Sequence, residues 1–126
     1  MALPDATGPA ELRSAFVCSR IMKRKLPIPP ETKGDDRATE MIRVWLAHND
    51  LHVSLNLGMW KDAEDSEVDE REAWGFLLSD LTRHIANGMM QEYGWDYDAT
   101  RDHIRASFLK NFDDKAGGVT GTFPDP

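Results

Sequence analysis

Two short segments in which apolar and polar residues alternate constrain the fold of this chain most. They are residues 41–47, MIRVWLA, and residues 51–57, LHVSLNL, and three residues separate them. Alternation is the pattern of a β-strand with one buried face, and a connection this short joins neighbouring antiparallel strands. The sequence therefore predicts a β-hairpin.

The loop of the hairpin determines which residues face each other. We expect Asn49-Asp50 to form a two-residue loop of the type I′ kind, although Asp tolerates positive φ less well than Gly. This loop gives an apolar face of three facing pairs: Leu46 with Val53, Val44 with Leu55, and Ile42 with Leu57. The other face is polar apart from its tryptophan, and it carries Arg43, Trp45, Ala47, His52, Ser54 and Asn56.

A long amphipathic helix is predicted after the hairpin, from Val68 to Tyr93. Ser66 and Asp69 resemble a capping box at its start, and Gly94 is placed to end it. Apolar residues recur three and four positions apart along it, which indicates one apolar stripe. The stripe consists of Trp74, Leu77, Leu78, Leu81, Ile85, Gly88 and Met89.

A second helix is predicted from Tyr97 to Phe112, with Asp96 as its cap. Its expected buried edge is narrower and consists of Ile104, Phe108 and Phe112, flanked by Tyr97 and Leu109. The fold class is therefore α+β, an antiparallel β-hairpin packed against two amphipathic helices (ββαα). Pairing of two hairpins in a dimer would complete a larger, four-stranded sheet.

We expect one domain over residues 26–114, because 126 residues leave room for no more. Residues 1–25 are predicted to be a flexible or weakly helical extension, and residues 115–126 a disordered tail. Met22 offers an alternative start, which would make residues 1–21 an appended segment. A domain of this size buries a modest share of its surface, so dimerisation is the expected source of additional stability.

Composition excludes several classes of protein. Cys18 is the single cysteine, so no intrachain disulfide can form and a secreted disulfide scaffold is excluded. No apolar run approaches the roughly 20 residues of a membrane span. The net charge of −7 disfavours binding to nucleic acid. We therefore expect a cytoplasmic protein without nucleic-acid or membrane partners.

Several short motifs resemble a known family when taken in order. They are Leu26–Pro30, Arg43–Trp45, Leu51–Leu55, Ala73–Gly75, Leu81 and Arg83–Asn87. Together they resemble a small bacterial family known as domain of unknown function 5076, over about residues 26–112. The resemblance implies a short, stand-alone bacterial protein and transfers no catalytic residue. This chain differs from the family pattern in a longer acidic insert after Trp60.

Four polar residues form the main candidate for a ligand site. Asp80, Arg83, His84 and Asn87 follow the i, i+3, i+4, i+7 spacing, which places them on one side of the first helix. An aspartate can orient an imidazole as a general base, and Arg83 and Asn87 can hold an anionic or amide-bearing ligand. The same residues equally fit an ordinary helix-surface ion pair. We weigh the structural interpretation above the functional one.

Other chemistry has little support in the sequence. Ser79 and Thr82 are the hydroxyls nearest to His84, and both can bond to carbonyls of their own helix. No two histidines share a helix at ligand spacing, and the predicted register separates His48 from His52. The acidic run at 62–69 lacks the glycine and glutamate of a calcium loop. We expect no cofactor, no metal and no enzymatic activity.

Arg43 and Trp45 form the candidate interface. They lie on the polar face of a two-stranded sheet, and Arg and Trp are preferred anchors of protein interfaces. Segment Leu26–Pro30 could instead cover Trp45, and both interpretations stay open. The leading hypothesis is a non-enzymatic interaction module that acts as a homodimer and binds an unknown partner protein. The alternative is a ligand-binding or enzymatic domain at the Asp80 group.

Overall fold

The structure, a computed structural model, describes residues 24–65 and 67–113. Within these described residues, a 3₁₀ turn at Pro30–Thr32 is followed by four regular elements. They are strand β1 at Ile42–Ala47, strand β2 at Asp50–Leu55, helix α1 at Glu70–Tyr93 and helix α2 at Tyr97–Phe112. This order confirms the α+β, ββαα fold class. The predicted weakly helical extension and disordered tail lie almost wholly outside the described residues. The chain divides after Leu57 into a hairpin unit and a helical unit, which are described separately.

The loop of the hairpin is His48-Asn49, and the predicted Asn49-Asp50 loop is wrong. Both loop residues have positive φ, 54° at His48 and 58° at Asn49, as a type I′ turn requires. Histidine and asparagine are among the few non-glycine residues enriched in this conformation. Asp50 instead begins β2 opposite Ala47, and its Oδ1 accepts the N–H of Leu51 at 2.8 Å.

The register differs from the prediction by two residues, yet every side chain keeps its predicted face. The apolar face pairs Ile42 with Leu55, Val44 with Val53, and Leu46 with Leu51. The polar face pairs Arg43 with Ser54 and Trp45 with His52. Faces are preserved because side chains alternate with a period of two, so a shift of two changes partners only. Leu57 is left beyond the end of the ladder.

Helix α1 begins at Glu70, two residues after the predicted start. Its cap is Asp69, whose Oδ1 accepts the N–H of Arg71 at 2.8 Å. Ser66, the other residue of the predicted capping box, lies outside the described residues. An aspartate directly before the helix satisfies a free N–H of the first turn. Gly94 ends the helix as predicted, with a φ of 71° and its N–H bonded to the oxygen of Met90 at 2.9 Å.

Helix α2 has its predicted bounds, and Asp96 caps it by accepting the N–H of Ala99 at 2.9 Å. It packs against α1 within the helical unit. Its predicted buried edge is wrong, because Phe108 is 54% exposed and Phe112 is 68% exposed. Helical spacing identifies an apolar face, but it does not require the same chain to cover that face.

Burial in the described residues is confined to two small side chains of α1, Ala73 and Ala86. The predicted stripe of α1 is only partly covered, and Leu78, Leu81 and Ile85 remain exposed. No helix in the described part of the chain combines the length and apolar character needed to cross a membrane.

Candidate functional site

The polar group on α1 brings three of its four predicted members together. Asp80 Oδ1 accepts a hydrogen bond from Arg83 Nη1 at 3.3 Å, and Asp80 Oδ2 lies 3.7 Å from His84 Nε2. The imidazole side is open, since the His84 side chain is 76% exposed. Asn87 is half-buried one turn further along the helix. Contacts of this kind on an exposed helix surface are weak.

The hydroxyls near this group are occupied by their own helix. Ser79 Oγ donates to the oxygen of Phe76 at 2.8 Å, and Thr82 Oγ1 donates to the oxygen of Leu78 at 2.9 Å. A nucleophilic hydroxyl needs a base within hydrogen-bond distance instead. Neither Ser79 nor Thr82 is therefore placed to act as an activated nucleophile beside His84.

The polar face of the hairpin holds its arginine in a fixed position. Arg43 Nε and Nη2 donate to the two carboxylate oxygens of Glu40 at 2.6 and 2.8 Å. These hydrogen bonds lower the pKa of Glu40 and raise the pKa of Arg43. Trp45 lies two residues further along β1 and is 39% exposed. A fixed guanidinium and an exposed indole thus lie side by side on this face.

The two histidines near the hairpin loop are closer than the sequence indicated. The ring of His48 meets that of His52 edge to face, with centroids 6.5 Å apart. Expectation placed them on opposite faces, but His48 lies in the loop, where positive φ interrupts the alternation of the strand. His52 Nε2 also lies 3.0 Å from the carbonyl oxygen of Ala47. Within the described residues no three His, Cys, Asp or Glu side chains come together as metal ligands would.

Within the described part of the helical unit, the side chain of Glu70 accepts hydrogen bonds from four N–H groups, a role that no sequence pattern predicted. Its Oε2 accepts the N–H of Gly58 at 2.9 Å and the indole N–H of Trp74 at 3.0 Å. Its Oε1 accepts the N–H groups of Trp60 at 2.9 Å and Lys61 at 3.0 Å. Led by the bond from Gly58, these four donors lower the pKa of Glu70 to about 2.

The segment that supplies these donors is a tight turn. Gly58 has a φ of 99°, and its oxygen accepts the N–H of Asp62 at 2.9 Å. A Cβ at this position would lie 2.6 Å from Asp62 Oδ2. The rings of Trp60 and Trp74 meet edge to face with centroids 6.2 Å apart. Three backbone N–H groups converging on one point form an anion cradle, and the carboxylate of Glu70 already fills it.

The only sequence signal for this junction is the position of the glutamate. A carboxylate in the first turn of a helix suits the helix dipole, and Glu70 is the first residue of α1. Its partners come from a stretch without periodicity, so no pattern could predict that residues 58–61 return to it. The junction between residues 58–61 and Glu70 is thus a feature that only the structure reveals.

An open apolar groove runs along α2. It is lined by His103, Ile104, Ser107, Phe108, Asn111 and Phe112. The rings of Phe108 and Phe112 are 5.2 Å apart and tilted by 33°. The Asp80 group of α1 contributes no side chain to this groove, so the polar and apolar features of the helical unit are separate.

Comparison with solved structures finds four matching chains, among them a protein of similar fold from the photosynthetic bacterium Rhodopseudomonas palustrus CGA009. That protein is described as a "putative pyruvate dehydrogenase". The two chains are 24% identical, the match covers 84% of this chain and 100% of the other, and the TM-score is 0.57. An identity this low shows a shared fold and carries no activity across.

Comparison with curated proteins finds no match. Comparison with family models matches residues 25–116 to one described as "Domain of unknown function (DUF5076)". The matched segment contains both strands and both helices, and it agrees with the resemblance read from the sequence motifs. This chain therefore belongs to the DUF5076 family.

Proposed function

We propose that the protein is a non-enzymatic interaction module that acts as a homodimer and binds a partner protein. The exposure of its apolar side chains carries this proposal. Only two alanines are buried among the described residues, while aromatic and aliphatic side chains of both units remain open to solvent. A chain of this size gains too little from such limited burial to be stable alone, and a second copy supplies the missing contact.

A role in binding rather than catalysis is supported by the chemistry of the polar groups. The hydroxyls of Ser79 and Thr82 bond to their own helix, and Glu70 is saturated by four donors from its own chain. Exposed Trp45 beside Arg43 is the combination that protein interfaces favour. We therefore assign the polar face of the hairpin to protein contact.

The proposed setting is the cytoplasm of a bacterium, without nucleic-acid or membrane partners. A single cysteine suits a reducing compartment, and a net charge of −7 repels phosphate backbones. One solved structure of similar fold comes from a bacterium.

Light scattering of the full chain tests the dimer. Between about 1 and 100 µM, the range of ordinary weak dimers, we expect a mass that rises towards twice 14.2 kDa. A mass of 14.2 kDa at every concentration would overturn the proposal.

A matched pair of tryptophan variants tests the surface. Trp45 and Trp95 are similarly exposed, at 39% and 43%, but they lie on different units. We expect Trp45→Ala to weaken dimerisation at least about tenfold, as loss of an interface anchor does. Trp95→Ala serves as the control and should change the dissociation constant less than about threefold. The opposite pattern would move the interface to the helical unit.

A small-ligand site at the Asp80 group is the second candidate. It is favoured by one observation, that Asp80 faces Arg83 with one oxygen and His84 with the other. Arg83 then offers unused N–H donors to an anion. Titration with inorganic phosphate, followed by backbone amide shifts of α1, tests this site. Saturable shifts that disappear in Arg83→Ala would support it, and linear or absent shifts would exclude phosphate as its ligand.

A further inference from the structure

Among the described residues, no hydrogen-bond partner reaches the backbone groups on the outer edge of β1. Asn56 N–H donates to the oxygen of Met41 at 3.0 Å, which fixes Met41 as a residue whose backbone bonds towards the second strand. Antiparallel ladders alternate, so the residues on either side of each bonded position point their N–H and C=O groups outwards. In β1 the outward residues are Ile42, Val44 and Leu46. Within the described part of the chain, no third strand and no turn bonds to them.

We infer that β1 pairs antiparallel with β1 of a second copy, with Val44 at the two-fold axis. This inference rests on the proposed homodimer and names the strand and the register that form it. Val44 lies opposite Val44 of the second copy, and Ile42 lies opposite Leu46 of the second copy. All three residues are outward-bonding, so each facing pair exchanges two backbone hydrogen bonds. Two hairpins then form one four-stranded sheet.

The side chains of β1 are complementary to themselves in this register. The apolar face matches Ile42 with Leu46 and Val44 with itself. On the polar face, Arg43 lies opposite Trp45 of the second copy, and the two-fold axis repeats the pair. Arg43 and Trp45 of the second copy form a non-hydrogen-bonded pair, the kind in which facing side chains lie closest together. A guanidinium against an indole is a favourable cation–π pair, and Glu40 already holds Arg43 in place at 2.6 Å.

The edge of β2 offers a poorer match. Its outward-bonding residues are Leu51, Val53 and Leu55, and a two-fold axis at Val53 would also pair apolar side chains. On the polar face, however, that register sets His52 opposite Ser54 of the second copy. This pairing contains neither an aromatic anchor opposite a cation nor a charge that is held in position. The complementarity of the polar face therefore selects β1.

Two valines that face each other across the hairpin provide the test. Val44 and Val53 are paired in the sheet, and their N–H groups point to opposite edges. Proline at an outward-bonding position removes an edge donor without touching the existing ladder. By light scattering, we expect Val44→Pro to raise the dimer dissociation constant about 100-fold, from two lost hydrogen bonds and the bulk of the ring. Val53→Pro should leave it within about threefold, since its change lies on the other edge.

The outcomes separate the inference from the proposal on which it rests. A wild-type monomer overturns both. A wild-type dimer that persists in Val44→Pro, or that dissociates only in Val53→Pro, overturns the β1 pairing and leaves the homodimer intact. Circular dichroism shows whether each variant is folded.

Cross-linking gives a second readout that does not depend on disrupting the strand. In a Cys18→Ala background, Val44→Cys places two thiols across the axis with Cα atoms about 5.5 Å apart, within reach of a disulfide. We expect rapid oxidation to a covalent dimer on a non-reducing gel. Val53→Cys is the matched control and should cross-link at least about tenfold more slowly, because the axis lies at the other edge. Equal rates for the two variants would overturn the inference.

Discussion

The junction before α1 and the hairpin treat their backbone groups in opposite ways. At the junction, one carboxylate accepts the N–H groups of Gly58, Trp60 and Lys61, so an irregular segment is satisfied by its own chain. In the hairpin, the ladder satisfies the inner side of each strand, and among the described residues no further strand bonds to the outer side of β1. The irregular junction therefore has acceptors for its N–H groups within its own chain. The regular hairpin is the region that we expect to bind a partner.

The largest expected effect is at the closed region. Glu70→Ala removes the acceptor of four N–H groups, of which those of Gly58, Trp60 and Trp74 are half-buried, and such donors are costly to leave without an acceptor. We expect the melting temperature to fall by about 10 °C. Glu72→Ala is the control, because this glutamate lies in the same first turn and is exposed. Equal melting temperatures for the two variants would mean that the hydrogen bonds to Glu70 do not stabilise the fold.

A pH series sharpens the same contrast. The folded-state pKa of Glu70, about 2, is below its ordinary value of 4.5, so its contribution is complete above pH 4.5 and is lost as the pH falls towards 2. We expect urea midpoints of the wild type to decline over this window. In Glu70→Gln the decline should be shallower, since no proton is taken up there. Parallel declines in both proteins would assign the pH dependence to other carboxylates.

Replacing two glycines by alanine, one in the turn and one inside α1, compares the constraint of turn geometry with the effect of helix propensity. Gly58→Ala forces a positive φ on alanine and brings its Cβ within 2.6 Å of Asp62 Oδ2, and we expect it to lose about 2 kcal/mol of unfolding free energy. Gly75→Ala has no atom within 4 Å of the added Cβ and should gain about 0.5–1 kcal/mol, as helix propensity dictates. Urea denaturation measures both. A higher unfolding free energy for Gly58→Ala would show that the turn does not require a positive φ at this position.

We expect the smallest change in stability at Asp80 and its neighbours on the surface of α1. Asp80→Ala removes contacts of 3.3 and 3.7 Å on a solvated surface, and we expect a change below about 0.5 kcal/mol. Thermal melts of Asp80→Ala and His84→Ala should therefore overlay the wild type, or lie slightly above it. A loss of more than about 1 kcal/mol would show that these residues hold the scaffold together.

The elements of the fold were predictable because each has a local signal. Alternation identified both strands, and Gly94 and Asp96 marked the end of one helix and the start of the next. The loop was not predictable from alternation, because a shift of two residues preserves every face. Only the turn conformation distinguishes the two registers, and a histidine in the sequence is a weak indicator of a turn residue with positive φ.

The candidate sites also divide into those with a local sequence signal and those without one. The Asp80 group was predictable, because it depends on helical spacing alone. The acceptor role of Glu70 was not, since it depends on where an aperiodic segment returns. The exposure of Phe108 and Phe112 was also beyond prediction. Spacing shows which face is apolar, whereas covering it depends on tertiary or quaternary contacts that a single sequence does not encode locally.

The double attachment at Glu70 has a consequence for how this chain tolerates changes in length. Lys61 and the first turn of α1 are held by the same side chain, so the acidic connection between them starts and ends at nearly the same point. Closing a loop whose ends are already fixed together costs little more as it grows, about 0.6 kcal/mol for each doubling of length. We therefore expect the acidic connection between Lys61 and Glu70 to tolerate changes in length at little cost to the fold. It is the natural place to insert a peptide tag or a fluorescent label.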